Sequence, residues 1–242
     1  MEKIKALILA GGRGSRLNEL TYGRNKSLIE INGKPLIEYN FENALNAGVD
    51  EIVVVVGYKA EEIMKKFGDS YGGKKITYVL QKEQRGLVNA IECAKEHLDS
   101  DFILMLADEV LVNPDLKGMI NKFCKENLFC VCGIVKEEDK LKIGKTYSIM
   151  TDERGRIFRL IEKPKYPINN FQGTGHCLFK KEILNYLEKT PVSLKRGEKE
   201  LVDLMQCAID EGEPIFLHEI STNYTNVNTS EDFEYAKRIL GV

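Results

Sequence analysis

The sequence predicts an α/β fold, a doubly wound and mostly parallel sheet with a small appended antiparallel subregion. Three observations carry that expectation. Short apolar runs alternate with segments of helical spacing through residues 5–135, the pattern that parallel strands with right-handed crossovers require. The first run ends in glycines, as a buried strand entering a turn does. With 242 residues, 43% of them hydrophobic, the chain is long enough to bury a sizeable core as one domain.

Each element follows from its own residues. Residues 5–10 are a short apolar run, hence a buried strand. Gly33-Lys34-Pro35 then opens a segment in which Leu36, Ile37, Tyr39, Asn40 and Ala44 recur at helical spacing, with proline in the first turn. Residues 51–56 form a β-branched strand closed by Gly57, and residues 60–67 a helix. The alternation continues through a strand at 75–81, a helix at 87–97, a strand at 101–107, a helix at 116–126 and a strand at 128–135. Up to that point the arrangement is Rossmann-like. Beyond about residue 136 the rhythm changes, because Asp152-Glu153-Arg154-Gly155 is turn chemistry between strands at 146–151 and 156–162, a hairpin. A helix at 200–210 places Leu201, Leu204, Met205 and Ala208 on one face. A strand at 215–220 and a terminal helix starting at Ser230 follow. The expected organisation is one domain over 1–242: a core over 1–135, a subregion with closing strands over about 136–225, and a terminal turn and helix over 226–242.

Composition excludes several classes. Thirty-five basic and 37 acidic residues leave a net charge of -2, so no global field draws in nucleic acid or an anionic membrane. No apolar stretch approaches the roughly 18–20 residues needed to span a bilayer, and the first residues show no signal-peptide pattern, so a cytoplasmic protein is expected. No hexapeptide repeat array follows within the sequence, so no appended β-helix is expected. Six cysteines make neither a dense disulfide framework nor a metal spacing, and Cys130 and Cys132 fall on one face of a strand as reduced thiols.

The stretch richest in chemistry is Leu9-Ala10-Gly11-Gly12-Arg13-Gly14-Ser15-Arg16-Leu17. Glycines let successive backbone N–H groups approach an anion, and two arginines add permanently charged, forked donors, so phosphate is the natural guest. A Walker loop would need Gly-Lys-Ser/Thr after four intervening residues, and a dinucleotide fingerprint would need glycine or alanine where Leu17 stands.

With Thr21, Lys26 and Gly33-Lys34-Pro35 following that loop, the sequence resembles the sugar-phosphate nucleotidylyltransferase family, the nucleotide-sugar pyrophosphorylases. The resemblance covers essentially the whole chain, is strongest over residues 5–60 and weakens after about 165. It implies transfer of a nucleotidyl group from a nucleoside triphosphate to a phosphorylated sugar with release of pyrophosphate, and Mg²⁺ as cofactor. Such a reaction brings two polyanions together by in-line attack on the α-phosphorus, so positioning and charge neutralisation suffice and no side-chain nucleophile is needed.

The resemblance also implies roles, the 1–135 core being nucleotide-binding and the subregion over about 136–225 acceptor-binding. Arg16 and Lys26 hold the triphosphate and steady the charge at the reacting phosphorus. Leu9, Ala10, Gly11, Gly12, Arg13, Gly14 and Ser15 line the nucleotide. Gln81 reads the base edge while Gly86 lets the base lie against the backbone. Asp108, at the carboxyl end of a strand where ligands gather in open parallel sheets, is the metal aspartate; Glu109 beside it is unassigned. Glu162 accepts from sugar hydroxyls, Lys163 contacts the sugar phosphate as a catalytic and acceptor-binding residue, and Gly175 lies near the sugar. One departure stands out: Asn226 occupies the position of the family's second metal aspartate, and Asn228 that of its glycine. An amide oxygen can ligate Mg²⁺ but adds no charge, so weaker metal binding is expected.

Two other readings stay open on the residues: a cytidylyltransferase for a non-sugar phosphate or phosphonate, such as phosphocholine or a polyol phosphate, and a non-catalytic nucleotide-sugar binding protein. The expected partners are a nucleoside triphosphate and a phosphorylated acceptor, with neither nucleic acid nor membrane. A homo-oligomer is left open, since family members often assemble.

Overall fold

A computed structural model describes residues 3–12, 17 and 23–242. Along the chain come β1 (Ile4–Ala10), the short hairpin β2 (Glu30–Ile31) and β3 (Lys34–Pro35), α1 (Leu36–Ala47), β4 (Glu51–Val56), α2 (Ala60–Phe67), β5 (Ser70–Tyr71), β6 (Lys74–Leu80) and α3 (Leu87–Ala94). Next are β7 (Asp101–Leu106), β8 (Glu109–Leu111), α4 (Leu116–Glu126), β9 (Cys130–Lys136), α5 (Lys140–Ile143), β10 (Tyr147–Thr151) and β11 (Ile157–Glu162). The chain closes with β12 (Phe171–Phe179), α6 (Leu201–Asp210), β13 (Ile215–Glu219), β14 (Tyr224–Asn226) and α7 (Ser230–Ile239). Among the described residues no helix is long and apolar enough to cross a membrane.

Every residue of β1 is buried because both its neighbours are parallel strands covered by helices: β4 on one side and β7 on the other. β6 extends the parallel set beyond β4. The chain therefore builds outward from β1 through β4 to β6, then crosses back to lay β7 on β1's free edge. That reversal puts a switch point between β1 and β7, and open α/β sheets bind ligands outside the carboxyl ends of such strands.

Strand alternation splits the core into two layers. Leu7, Leu9, Val53, Val55 and Leu104 point to the face covered by α3 and α6, while Ala6, Ile8, Val54, Val56 and Met105 point to the face covered by α1 and α4. A third cluster of Leu17, Ile29, Ile31, Leu36, Val110, Val227 and Ala236 roofs the end of the sheet beside the switch point. It packs the β2–β3 hairpin and α7 onto β8 and β14, which pair antiparallel with Asn226 opposite Glu109.

The structure differs from the sequence expectation in several places. The nine-residue strand β12 was not expected, because its glycines and the buried polar Gln172, Thr174 and His176 interrupt any apolar alternation. It runs antiparallel to β7 and separates that strand from β9. The strand read at 128–135, expected to be parallel within the main sheet, is therefore antiparallel to β12 and parallel only to β13. The helix read at 87–97 is α3 followed by a separate 3₁₀ turn over Lys95–His97. The terminal helix begins at Ser230 as expected, and Thr229 caps it: Thr229 accepts from Asp232 N, and the Asp232 carboxylate accepts from the Thr229 backbone, a reciprocal capping box. The hairpin is present as β10 and β11. Cys130 and Cys132 are buried thiols on the α3/α6 side with their sulfurs 4.0 Å apart, and burial pushes the Cys130 thiol up.

Candidate active site

β1 delivers its carboxyl end as Gly11 and Gly12. A Cβ on Gly11 would lie 2.7 Å from Gln81 Oε1, and one on Gly57, past the end of β4, would lie 2.7 Å from the Gly11 carbonyl. The ends of β1 and β4 thus approach so closely that a side chain at Gly57 would meet the Gly11 backbone, with the Gln81 side chain against Gly11. Leu9 and Ala10 are buried on opposite faces of the sheet, so only their backbone is available to a ligand. Arg13, Gly14, Ser15, Arg16 and Thr21 lie outside the described residues.

Lys26 reaches the switch point from the 3₁₀ turn Lys26–Leu28. Asn25 fixes that turn: its side chain accepts from Ser27 N at 2.8 Å and donates to the Tyr58 carbonyl at 2.6 Å. The Lys26 ammonium, buried to 7% exposure, donates to Asp108 Oδ2 at 2.5 Å and to Asn228 Oδ1 at 2.8 Å. Asn228 Nδ2 in turn donates to Asn226 Oδ1 at 2.8 Å. Asp108, just beyond β7, is tied to the β14 side by Val227 N donating to its carbonyl at 2.9 Å. The two expected metal positions thus sit on adjoining chain segments, joined through Lys26 and Asn228.

Those residues suit a hard divalent cation that shares its oxygens with phosphates: one carboxylate, amide oxygens and open coordination positions for a nucleotide. Among the described residues no three His, Cys, Asp or Glu side chains gather to hold a metal by themselves. The donor set fits Mg²⁺ arriving with a triphosphate better than a resident ion.

Gln81 is 5% exposed, and its amide nitrogen donates to the Gly86 carbonyl at 3.2 Å and to Asn89 Oδ1 at 3.0 Å. Its oxygen faces Gly11. Gln81 is therefore bonded to the start of α3 and packs against Gly11. Gly86 caps α3 with φ +90°, a backbone conformation that favours glycine, and a Cβ there would lie 2.7 Å from Glu198 Oε2, so the Glu198 side chain packs against it.

On the opposite wall, Glu162 ends β11 and Lys163 follows in the left-handed region at φ 43°, uncommon for a residue with a side chain. Lys163 Nζ lies 3.6 Å from Glu162 Oε1. Burial pushes the Glu162 carboxyl above its ordinary value; Lys163 and Arg196 pull it back, and Glu200 adds to the rise. Gly175 lies where a Cβ would sit 2.3 Å from Leu106 Cγ.

The segment before α6 supplies groups that sequence reasoning did not single out. Arg196 faces Glu198 at 2.7 Å, Glu200 at 3.1 Å and Glu162 at 3.6 Å. Glu200 is 7% exposed with one oxygen lacking a hydrogen bond, and burial pushes its carboxyl up. The signal was available as the charge cluster Arg196-Gly197-Glu198-Lys199-Glu200, which reads as an ordinary solvated loop. One line of contacts therefore runs from Gly11 through Gln81, Gly86, Glu198 and Arg196 to Glu162 and Lys163.

The nucleotidyl transferase family matches residues 5–224. The UTP–glucose-1-phosphate uridylyltransferase AglF of Haloferax volcanii is 33% identical over 98% of this chain and 96% of its own length. The glucose-1-phosphate thymidylyltransferase of Streptomyces griseus is 28% identical, over 98% of this chain and 66% of its own length. The chain spans about half, 47%, of the bifunctional protein GlmU of Methanocaldococcus jannaschii, at 32% identity over 85% of this chain. A solved UDP-glucose pyrophosphorylase complexed with UDP-glucose superposes with TM-score 0.87 at 24% identity, covering 99% of this chain and 98% of its own, a likeness of fold.

Proposed function

This chain belongs to the nucleotidyl transferase family, and from that premise we propose that it moves a nucleoside monophosphate from a nucleoside triphosphate to a sugar 1-phosphate. An oxygen of the acceptor phosphate attacks the α-phosphorus, a new P–O bond forms opposite the leaving group, and pyrophosphate departs. The observation that carries the reading is Lys26 held against Asp108 beside Gly11 and Gly12, at the carboxyl ends of β7 and β1.

The backbone of Gly11 and Gly12 faces the phosphates, and Arg16 is assigned with Lys26 to the charge at the reacting phosphorus. Lys26 leaves Asp108 for a phosphate oxygen when the nucleotide arrives, exchanging one anion for another. Asp108 and Asn226 would hold Mg²⁺, which when bound neutralises phosphate charge and helps align the triphosphate. Gln81 and Gly86 seat the base, while Glu162, Lys163 and Gly175 seat the sugar phosphate, with Arg196 completing that wall. The similarity to AglF makes UTP and glucose 1-phosphate the first pair to try. Both substrates are soluble anions, which suits a cytosolic setting.

Pyrophosphate release tests the proposal, with each common nucleoside triphosphate paired against sugar 1-phosphates, phosphocholine and polyol phosphates in Mg²⁺. Release with a sugar 1-phosphate is expected. Release only with a non-sugar phosphate would move the acceptor assignment, and release with no pair would leave a binding protein.

A further inference from the structure

Glu109 and His176 are fully buried polar groups to which the proposed reaction gives no role. Glu109 accepts from Gly175 N at 2.9 Å on both oxygens and from the Tyr224 hydroxyl at 2.6 Å, and faces His176 Nδ1 at 3.0 Å. His176 Nε2 faces Asn40 Oδ1 at 2.9 Å. Asn40 Nδ2 donates to the carbonyls of Leu106 at 3.0 Å and Glu109 at 3.1 Å, which bracket Ala107 and Asp108. With both amide hydrogens so used, Asn40 offers His176 only its oxygen, so Nε2 donates to it. Every polar atom of this cluster has a partner, as burial demands.

The cluster touches three segments that bear the candidate site. Asn40 clamps the turn carrying Asp108. Tyr224 lies two residues before Asn226 on β14, and Gly175 belongs to the acceptor wall. We propose that Glu109, with Asn40, His176 and Tyr224, is a positioning cluster that fixes Asp108, Asn226 and Gly175 relative to one another, so that metal-side and acceptor-side geometry are set by one buried carboxylate. The inference rests on the nucleotidyl-transfer reading for its consequence, not for the clamp itself.

Tyr224→Phe removes one hydroxyl and little else, and His176→Phe keeps a ring while deleting two hydrogen bonds. Hydrogen exchange on the full chain reads the clamp without turnover: exchange in the peptides spanning Asp108, Gly175 and Asn226 is expected to quicken together by about tenfold in Tyr224→Phe. In an active protein, kcat is expected to fall about tenfold, with a higher Mg²⁺ requirement and a higher KM for the sugar phosphate, since small misplacements are costly. His176→Gln, which can keep one bond, should recover part of what His176→Phe loses. Lower thermal stability with unchanged kcat, Mg²⁺ response and exchange at these three segments overturns the proposal, as does quickening at only one of them. A wild-type chain that releases no pyrophosphate, with exchange still coupled across the three, would instead sink the reaction and leave the clamp standing.

Discussion

At position 226 an amide stands where the resembled family carries a carboxylate, and its oxygen is already engaged by Asn228. On the proposed reading, a divalent ion there would take one carboxylate ligand, that of Asp108. Asn226→Asp is therefore expected to lower the half-saturating Mg²⁺ concentration by about tenfold, since ligand charge sets affinity for hard cations; a magnesium titration of pyrophosphate release, with calorimetry of the metal alone, reads it. Lys26→Met keeps most of the side chain's bulk and deletes the charge. It is expected to cut turnover by about a hundredfold or more, the scale of losing one preorganised charge-stabilising donor; steady-state rates at saturating substrates check it. Lys26 and Asp108 were legible because each sits at a recognisable spacing from a glycine or a strand end. The role of Asn228 was not: its contact with Lys26 joins residues 202 positions apart, and no local pattern encodes that.

Elements were legible where periodicity and burial agree, as in β1, α1 and β4. They were illegible where a strand is buried by virtue of a polar network. In β12, Thr174 donates to the Gly133 carbonyl and His176 meets Glu109 and Asn40, so polar residues occupy core positions with their hydrogen bonds satisfied. Sequence patterning counts such residues as solvent-facing. The start of α7 at Ser230 was legible, and the reciprocal bonds between Thr229 and Asp232 make Thr229 the residue that caps it. Thr229→Ala removes one half of that box. It is expected to cost about 1 kcal/mol, a fall in Tm of about 2–4 °C at this chain length, read by calorimetry. Ser230→Ala should leave Tm nearly unchanged.

Across the whole molecule, the candidate crevice lies between the carboxyl ends of the parallel strands and the wall built from β11 and the segment before α6. Burial in that wall determines how Glu162 answers pH. Glu162 is drawn out of water with its side chain 27% exposed, and burial raises its folded pKa above the ordinary glutamate value. For stability the sign is that of a raised carboxyl: its ionisation destabilises the folded state as pH rises through the folded value, and that loss is relieved on acidification. For acceptor binding on the proposed reading the sign is opposite. A carboxylate that accepts from sugar hydroxyls is lost as pH falls through the same value, so binding weakens at a higher pH than a free glutamate would dictate. The ratio of kcat/KM for the sugar phosphate between wild type and Glu162→Gln isolates this group, because the substrate's own phosphate ionisation is common to both proteins and cancels. That ratio is expected to fall on the acid side with a midpoint above the usual value of about 4.3, while the corresponding ratio for the nucleotide stays flat. A flat sugar-phosphate ratio across the acid range would remove Glu162 from the acceptor wall and leave Lys163, Arg196 and Gly175 to hold it.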